Sequence, residues 1–263
     1  LLQFGFTKKE ALSTVSGPAF WAWQMMTNIE GYMPPKDEKY IYERLELGRK
    51  ILKRYLEFGM MPIQQGFSGH VPVLLKHKYP KAKILLKAPW CGFPKTAQLD
   101  PLDPLFKKMG KAYLENLKRL MGFYHYVACD PFHEGTPPKP WPHYLKAVGR
   151  AIDGLYREFD ERSVWVMQAW TLRKHIVKAV PKNRILLLDL NSRSTPSHKN
   201  MWGYQVVSGM LHNFGGKNAM QGKLEEHCNN PFDQLKKSGA NVVGSGLFME
   251  GIEQNPVVYD LQF

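Results

Sequence analysis

Residues 105–135 read LFKKMGKAYLENLKRLMGFYHYVACDPFHEG, and this stretch decides the fold that we expect for the chain. Apolar residues recur at helical spacing between Leu105 and Met121, which predicts an amphipathic helix. The mostly apolar run from Tyr124 to Cys129 then predicts a buried strand. A turn containing Pro and Gly follows, and it holds Glu134. The stretch is therefore a helix, a strand and a loop that carries an acid.

The same order of helix and strand recurs along the chain, which is typical of an α/β fold built on a parallel sheet. Asp37 to Phe58 and Tyr144 to Phe159 are predicted helices. The further predicted strands are apolar runs at 60–66, 164–168, 185–190, 206–211 and 241–246. In a chain of 263 residues, this alternation favours one domain with a (β/α)8-type TIM barrel.

The loops after the predicted strands collect the residues that could carry chemistry, as the active-site face of a barrel does. These residues are Gln168, Trp170, Asp189, His212 and Glu250. Glu250, like Glu134, follows an apolar run, and two acids from different strands can flank one glycosidic bond. We therefore predict glycoside hydrolysis. The alternative is that both glutamates are solvated loop acids, as most glutamates are.

The segment from Pro72 to Pro104 breaks the regular order and is predicted to be a long loop. Long loops within compact domains are usually functional or disordered. Trp90 lies in this segment, and its indole could stack on the apolar face of a sugar or could simply pack in the core.

The net charge of +13 bears on partners, because a surface this basic attracts polyanions. The Lys and Arg residues are spread over several predicted helices, so we expect no nucleic-acid partner. A sulfated glycan or a merely solvated basic surface explains the charge equally well.

Three cysteines, Cys91, Cys129 and Cys228, are too scattered to form a disulfide framework or a zinc site. Cys129 lies in an apolar run and is predicted to be a small buried residue. We predict no metal, no cofactor and no membrane span, because no apolar stretch reaches about 18 residues. The sequence does not indicate an oligomeric state.

Several blocks resemble the α-N-acetylglucosaminidases of glycoside hydrolase family 89, and they occur in the same order as in that family. The blocks are AFWAW at 19–23, FGMMP at 58–62 with FSGHVP at 67–72, MLHNFGG at 210–216, and MEGIEQN at 249–255. The resemblance runs over nearly the whole chain.

The resemblance implies a retaining exo-glycosidase that removes terminal α-linked N-acetylglucosamine from glycans such as heparan sulfate. Glu134 matches the general acid/base of the family and Glu250 its nucleophile. The residues that would bind substrate are Trp23, His70, Trp90, His133, Trp170 and His212. A histidine at a strand end can equally brace a loop through its own hydrogen bonds. His133 stands where the family commonly has Asn, and Ala169 replaces a usual Gly, so the pocket shape or the pH optimum could differ.

The resemblance also sets the domain organisation that we expect. Residues 1–263 would be the catalytic barrel of a larger protein, incomplete because the first strand lies upstream of Leu1. The small N-terminal domain and the C-terminal helical domain of the family would be absent from this chain. The family implies a lysosomal or secreted protein.

Two other functions stay open at this point. A catalytically inactive carbohydrate-binding barrel would keep the aromatic residues without turnover. A basic protein that binds polyanions would show strongly salt-dependent binding and would not depend on Glu134.

Overall fold

The computed structural model describes residues 1–192, 194–214, 223–238, 241–251 and 253–262. It divides the chain into two units, Leu1–Ser163 and Val164–Phe263. Within the blocks that resemble family 89, Gly215, Gly216 and Ile252 lie outside the described residues.

The first unit contains the helices and strands of the predicted helix–strand units. Its helices are α1 (Lys8–Ser13), α2 (Trp21–Met25), α3 (Lys39–Glu57), α4 (Leu75–Lys78), α5 (Pro104–Met121) and α6 (Pro142–Phe159). Its strands are β1 (Ile63–Gln65), β2 (His70–Val71), β3 (Ile84–Leu86), β4 (Ala97–Leu99) and β5 (Tyr126–Ala128).

Helix α5 confirms the prediction made from residues 105–121. Asp103 caps its N-terminus by accepting a hydrogen bond of 2.9 Å from the backbone N–H of Leu105, and Pro104 suits the first helical position. The helix ends before Gly122, whose φ of 79° is in the left-handed region that glycine favours. A Cβ on Gly110 would lie 2.4 Å from a methyl group of Leu155, so this glycine lets α5 and α6 approach closely.

Helix α3 forms where the apolar spacing predicts a helix, but it buries little of its apolar face. None of its residues is fully buried, and Leu56 is exposed. It contacts α5. Arg49 of α3 donates a hydrogen bond of 2.8 Å to the carbonyl of Leu120 on α5.

Strands β1 and β5 pair in parallel, with Gln64 opposite Val127. The prediction of a long irregular loop from Pro72 to Pro104 is wrong. This segment contains α4, β3 and β4, and β4 pairs antiparallel with both β2 and β3. The strands escaped prediction because they are only two or three residues long and lie between prolines, which is too short for an alternating pattern.

Gly69 directly precedes β2, and its backbone lies close to β4. Its φ is 92°, and a Cβ there would lie 2.4 Å from the side-chain nitrogen of Gln98 and 2.7 Å from the carbonyl oxygen of Leu99. The backbone N–H of Leu99 donates a hydrogen bond of 2.7 Å to the carbonyl of Gly69. Position 69 therefore requires glycine both for its φ and for space.

The second unit contains the remaining helices and strands. Its helices are α7 (Lys174–Val177), α8 (Ser194–Ser197), α9 (Leu224–Ser238) and α10 (Pro256–Gln262). Its strands are β6 (Val164–Gln168), β7 (Ile185–Asp189), β8 (Gln205–His212) and β9 (Asn241–Met249). The predicted bounds of β6 are confirmed, and β8 and β9 extend beyond the predicted runs.

Strands β6, β7, β8 and β9 pair in parallel in chain order. Gln168 lies opposite Leu188, Asp189 opposite Ser208, and His212 opposite Met249. The carboxyl ends of these strands therefore meet at one edge, where an α/β enzyme places its functional loops.

Two smaller predictions can also be compared with the structure. Cys129 is 1% exposed, as expected for a small buried residue. Among the helices that the structure describes, none combines the length and the apolar character needed to cross a bilayer.

Candidate active site

The loop after β5 presents Glu134 on a buried base. Phe132 and His133 are 2% and 4% exposed, whereas Glu134 is exposed. Phe132 has a φ of 58° and Glu134 a φ of 45°, which are uncommon for residues other than glycine. The backbone N–H of Gly135 donates a hydrogen bond of 3.0 Å to the carbonyl of Phe132 and closes the turn. The loop is thus anchored by apolar burial while its acid faces outward.

The amide of Asn28 contacts the Glu134 carboxylate directly. Its Nδ2 donates a hydrogen bond of 2.6 Å to Oε2 of Glu134, and Asn28 is only 3% exposed. The backbone N–H of Asn28 donates in turn to the carbonyl of Trp23 at 2.9 Å. No local pattern marks Asn28 as a contact of Glu134, because 106 positions separate the two residues.

His133, which precedes the acid, is buried in a setting that disfavours its charged form. Burial lowers its pKa below the ordinary value, and the nearby Glu134 carboxylate opposes that shift. A neutral imidazole can still donate one hydrogen bond, as an amide can.

His70 lies at the start of β2, beside a cavity that it lines together with Glu30 and Tyr113. Burial lowers the pKa of His70 to about 4, and the charge of Lys87 adds to this effect. Burial raises the pKa of Glu30 to about 7, although the backbone N–H of Val73, 3.0 Å from its carboxylate, opposes the shift. His70 is thus neutral near pH 7. Its Nδ1 is buried and has no hydrogen-bond partner among the described residues.

The predicted aromatic residues of the first unit are partly buried. Trp90 stacks on Phe93, with ring centroids 6.0 Å apart and an angle of 29° between the planes. Phe93 also packs edge-on against Tyr32, at 4.9 Å. Trp23 is in α2. The turn after this helix ends at Asn28, whose side chain contacts Glu134. Trp90 therefore belongs to an aromatic cluster and still keeps some exposed ring surface.

Glu250 follows β9 in the second unit, in a turn fixed to the end of β8. The carbonyl of Asn213 accepts hydrogen bonds from the backbone N–H groups of Glu250, at 3.3 Å, and of Gly251, at 2.9 Å. Asn213 has a φ of 55° and is 1% exposed. A Cβ on Gly251 would lie 2.8 Å from Oδ1 of Asn213. A larger residue at position 251 would therefore require the Asn213 side chain or the turn to shift.

His212 precedes Asn213 and is 2% exposed. Its Nε2 lies 2.8 Å from Nδ2 of Asn255, and its ring packs edge-on against Tyr259 at 5.8 Å. These contacts join the end of β8 to the segment after Glu250. His212 therefore has a bracing contact, and a contact with substrate stays a prediction.

The other strand ends of the second unit differ in what they present. Trp170 follows β6 and is 45% exposed, so its indole surface is accessible. Asp189 is 0% exposed and accepts hydrogen bonds from the backbone N–H groups of Ser194, at 3.1 Å, and Thr195, at 2.8 Å. The Thr195 hydroxyl also donates to it at 2.7 Å. Asp189 thus caps α8 rather than facing a ligand.

The predicted site residues are divided between the two units. The first unit holds Trp23, His70, Trp90, His133 and Glu134, and the second holds Trp170, His212 and Glu250. The residues that sequence reasoning missed are those that hold these side chains: Asn28, Lys87, Asn213 and Asn255. Within the described residues there is no group of three side chains suited to hold a metal ion.

Comparison with known proteins places this geometry in a family. The sequence model described as "Alpha-N-acetylglucosaminidase (NAGLU) tim-barrel domain" matches residues 1–263. Human alpha-N-acetylglucosaminidase is 31% identical over 278 residues, covering 99% of this chain and 37% of the human protein.

Solved structures agree with the sequence match. A family 89 glycoside hydrolase from Clostridium perfringens, in complex with PUGNAc, has a TM-score of 0.90 at 30% identity, covering 99% of this chain and 30% of that chain. A form with two glutamates replaced by glutamine, in complex with its substrate GlcNAc-alpha-1,4-galactose, gives 0.90 at 29% identity with the same coverage.

The chain spans about a third of the length of these relatives. The match to the barrel domain confirms the predicted fold class and the predicted resemblance. This chain belongs to the α-N-acetylglucosaminidase family, glycoside hydrolase family 89, and residues 1–263 match the TIM-barrel domain of that family.

Proposed function

We propose that this chain carries the catalytic glutamates of a retaining exo-glycosidase that removes terminal α-linked N-acetylglucosamine. The observation that supports this proposal most is the placement of two exposed glutamates, each on a loop that directly follows a parallel strand. The C. perfringens relative was solved with its substrate after two glutamates were replaced. We propose that Glu134 and Glu250 correspond to the two replaced glutamates.

The substrate itself requires a nucleophile from the protein. In an α-linked N-acetylglucosamine the 2-acetamido group is cis to the leaving group, so it cannot attack the anomeric carbon from the opposite face. Glu250 would attack that carbon while protonated Glu134 gives its proton to the departing oxygen. A water molecule, deprotonated by Glu134, would then release the sugar from Glu250 with net retention. In such enzymes the two carboxyl groups lie roughly 5 to 5.5 Å apart.

The local contacts support this division of roles. Glu134 accepts a hydrogen bond from the buried amide of Asn28, which holds one carboxylate oxygen in a defined position. The backbone of Glu250 is fixed by Asn213, so the carboxylate starts from a defined position. Trp23, Trp90, Trp170, His70, His133 and His212 would surround the sugar.

The basic composition of the chain bears on the natural glycan. The net charge of +13 suits an anionic glycan such as heparan sulfate, and a mucin-type glycan would not need this charge. A lysosomal or secreted location stays a prediction from the family, as do the flanking domains.

The experiment that tests the proposal is hydrolysis of an aryl α-N-acetylglucosaminide with a good leaving group by the longest natural polypeptide that carries this sequence. We expect Glu250→Ala to lose activity by at least about 10⁴-fold, as removal of a nucleophile does in other hydrolases. Azide should restore turnover of Glu250→Ala and give a product of inverted configuration. With Glu134→Ala, azide should give a product of retained configuration, because the glycosyl-enzyme intermediate on Glu250 still forms.

An inactive parent that still binds N-acetylglucosamine would establish the carbohydrate-binding barrel instead. Binding of a polyanion that weakens steeply as the salt concentration rises, and that is unchanged in Glu134→Ala, would establish the polyanion-binding protein. Activity that survives in Glu250→Ala without azide would refute the assignment of the nucleophile.

A further inference from the structure

The ammonium group of Lys87 is placed among three oxygen atoms. Its Nζ donates hydrogen bonds to the carbonyl of Thr27 at 2.8 Å, to the Thr27 hydroxyl at 3.0 Å and to the carbonyl of His133 at 3.1 Å. A lysine ammonium has three N–H donors, so these contacts use all of them. The lysine therefore joins two segments that are far apart in sequence.

The two residues that Lys87 joins directly precede Asn28 and Glu134, whose side chains contact each other. Thr27 precedes Asn28 and His133 precedes Glu134, and Nδ2 of Asn28 lies 2.6 Å from Oε2 of Glu134. Thr27 has a φ of 69° and Glu134 a φ of 45°. Such backbone positions persist only where the surrounding structure holds them. The three hydrogen bonds from Lys87 supply that support on both sides of the Asn28–Glu134 contact.

Lys87 is itself held by the hairpin of β3 and β4. Its backbone N–H donates to the carbonyl of Thr96 at 2.8 Å, and the Thr96 hydroxyl donates to the carbonyl of Thr27 at 3.1 Å. Thr96 is 2% exposed. A Cβ on Gly135 would lie 3.1 Å from Cε of Lys87, so the lysine stem passes close over the turn that carries Glu134. The antiparallel sheet is thus the support from which Lys87 reaches the two segments.

The charge state of Lys87 is compatible with this role. Burial lowers its pKa to about 8, and the carboxylate of Glu134 opposes the shift. The group is therefore largely protonated at neutral and acidic pH, and all its hydrogen-bond donors are then present.

We propose that Lys87 is a positioning residue that holds the carboxyl group of Glu134 where it can protonate the leaving group, acting through the Thr27–Asn28 segment and the carbonyl of His133. This inference rests on the proposed function. Lys87 itself transfers no proton and does not touch the reacting atoms. Its removal should therefore impair the proton transfer and spare the attack by Glu250.

The test compares two substrates that differ in their need for a proton. A 2,4-dinitrophenyl α-N-acetylglucosaminide leaves without protonation, whereas an α-N-acetylglucosaminyl disaccharide needs the general acid. We compare kcat/KM, since this ratio reports the step that breaks the glycosidic bond. General acid catalysis contributes about 10² to 10⁴ in rate. We expect Lys87→Met to lose about 10²-fold on the disaccharide and less than about threefold on the dinitrophenyl glycoside.

Lys95→Met is the matched control, because Lys95 is an exposed lysine on the same hairpin. It should match the parent on both substrates. Asn28→Ala keeps the Lys87 contacts and removes the amide from Glu134, so it should show the same selective loss as Lys87→Met. If circular dichroism shows that Lys87→Met is unfolded, Lys87→Gln is measured in the same way, and it should also lose the disaccharide selectively.

The outcomes separate the inference from the function on which it rests. A parent that hydrolyses neither glycoside overturns both. A parent active on both, with a folded Lys87 variant that loses both equally or keeps the disaccharide, overturns the role of Lys87 alone.

Discussion

The loops that carry Glu134 and Glu250 are held in different ways. Glu134 is held by side chains: the amide of Asn28 reaches its carboxylate, and Lys87 ties down the residues before both. Glu250 is fixed through its backbone, by two N–H groups that donate to the carbonyl of Asn213. Both a proton donor and a nucleophile need a defined position and direction. The contacts that the structure describes therefore support the two loops by different means, through side chains at Glu134 and through the backbone at Glu250.

The largest effect that would sharpen this comparison is expected at Gly251. In Gly251→Ala the new Cβ would lie 2.8 Å from Oδ1 of Asn213, so either the buried Asn213 side chain or the turn that carries Glu250 must shift. A displacement of about 1 Å in a reacting group can cost about 10²-fold in rate. We expect a loss of this size in kcat on an aryl glycoside, with circular dichroism unchanged.

Gly244→Ala is the control for that substitution, because a Cβ there meets nothing within 4 Å and the residue is on β9, the strand that leads into the turn. It should keep activity within about twofold of the parent. Equal losses in both variants would show that the turn at Gly251 has no special part in placing Glu250.

The next effect concerns the pH dependence of stability, which should arise in the unit that carries Glu134. The pKa of His70 is lowered from 6.5 to about 4 in the folded chain, so the unfolded chain takes up a proton first and stability falls as pH drops through this range. The pKa of Glu30 is raised from 4.5 to about 7, so its folded form takes up a proton first and stability falls as pH rises from about 4.5 to 7. The two effects oppose each other.

Single substitutions should reveal each effect. Glu30→Gln leaves His70 uncompensated, and the free energy of unfolding should fall by about 2 kcal/mol from pH 7.5 to pH 5. His70→Gln leaves Glu30, and stability should instead fall by about 2 kcal/mol from pH 5 to pH 8. Urea denaturation at these pH values measures both. Slopes of the same sign in the two variants would contradict the assignment.

The smallest effect is expected at Asn255, which contacts His212 at the end of β8. Asn255→Ala removes the contact of 2.8 Å to His212, and a hydrogen bond of this kind contributes about 1 kcal/mol. We expect unfolding in urea to be easier by that amount, with KM for an aryl glycoside unchanged. Asn229→Ala, on α9, is the control and should be neutral. A rise in KM for Asn255→Ala would instead indicate that this contact sets the position of His212 at the substrate.

The sequence was sufficient for the parts of the fold that depend on local patterns. Helix α5 has helical spacing, a capping Asp103 and a terminating Gly122, and all three are visible in the sequence. The strands of the second unit are apolar runs of five or more residues. By contrast, β2, β3 and β4 are too short to show a period, and their pairing depends on Gly69 fitting against β4.

The candidate site was predictable only as far as the exposed acids and aromatic residues. Glu134 and Glu250 follow strands, and the family blocks mark them. Asn28 and Lys87 have no local signal, because their roles come from contacts with residues 106 and 46 positions away. Such contacts arise from tertiary packing, and no spacing rule in a single sequence specifies them.

Gly69 has a consequence for how natural variation in this chain should be judged. Any other residue there would meet Gln98 and Leu99 and would need a φ that side chains disfavour. The damage would reach the hairpin that supports Lys87, although position 69 itself bears no chemical group. A missense variant at Gly69 should therefore be classed with those of Glu134, the proposed acid, and homologues with another residue at this position should differ in the sheet as well.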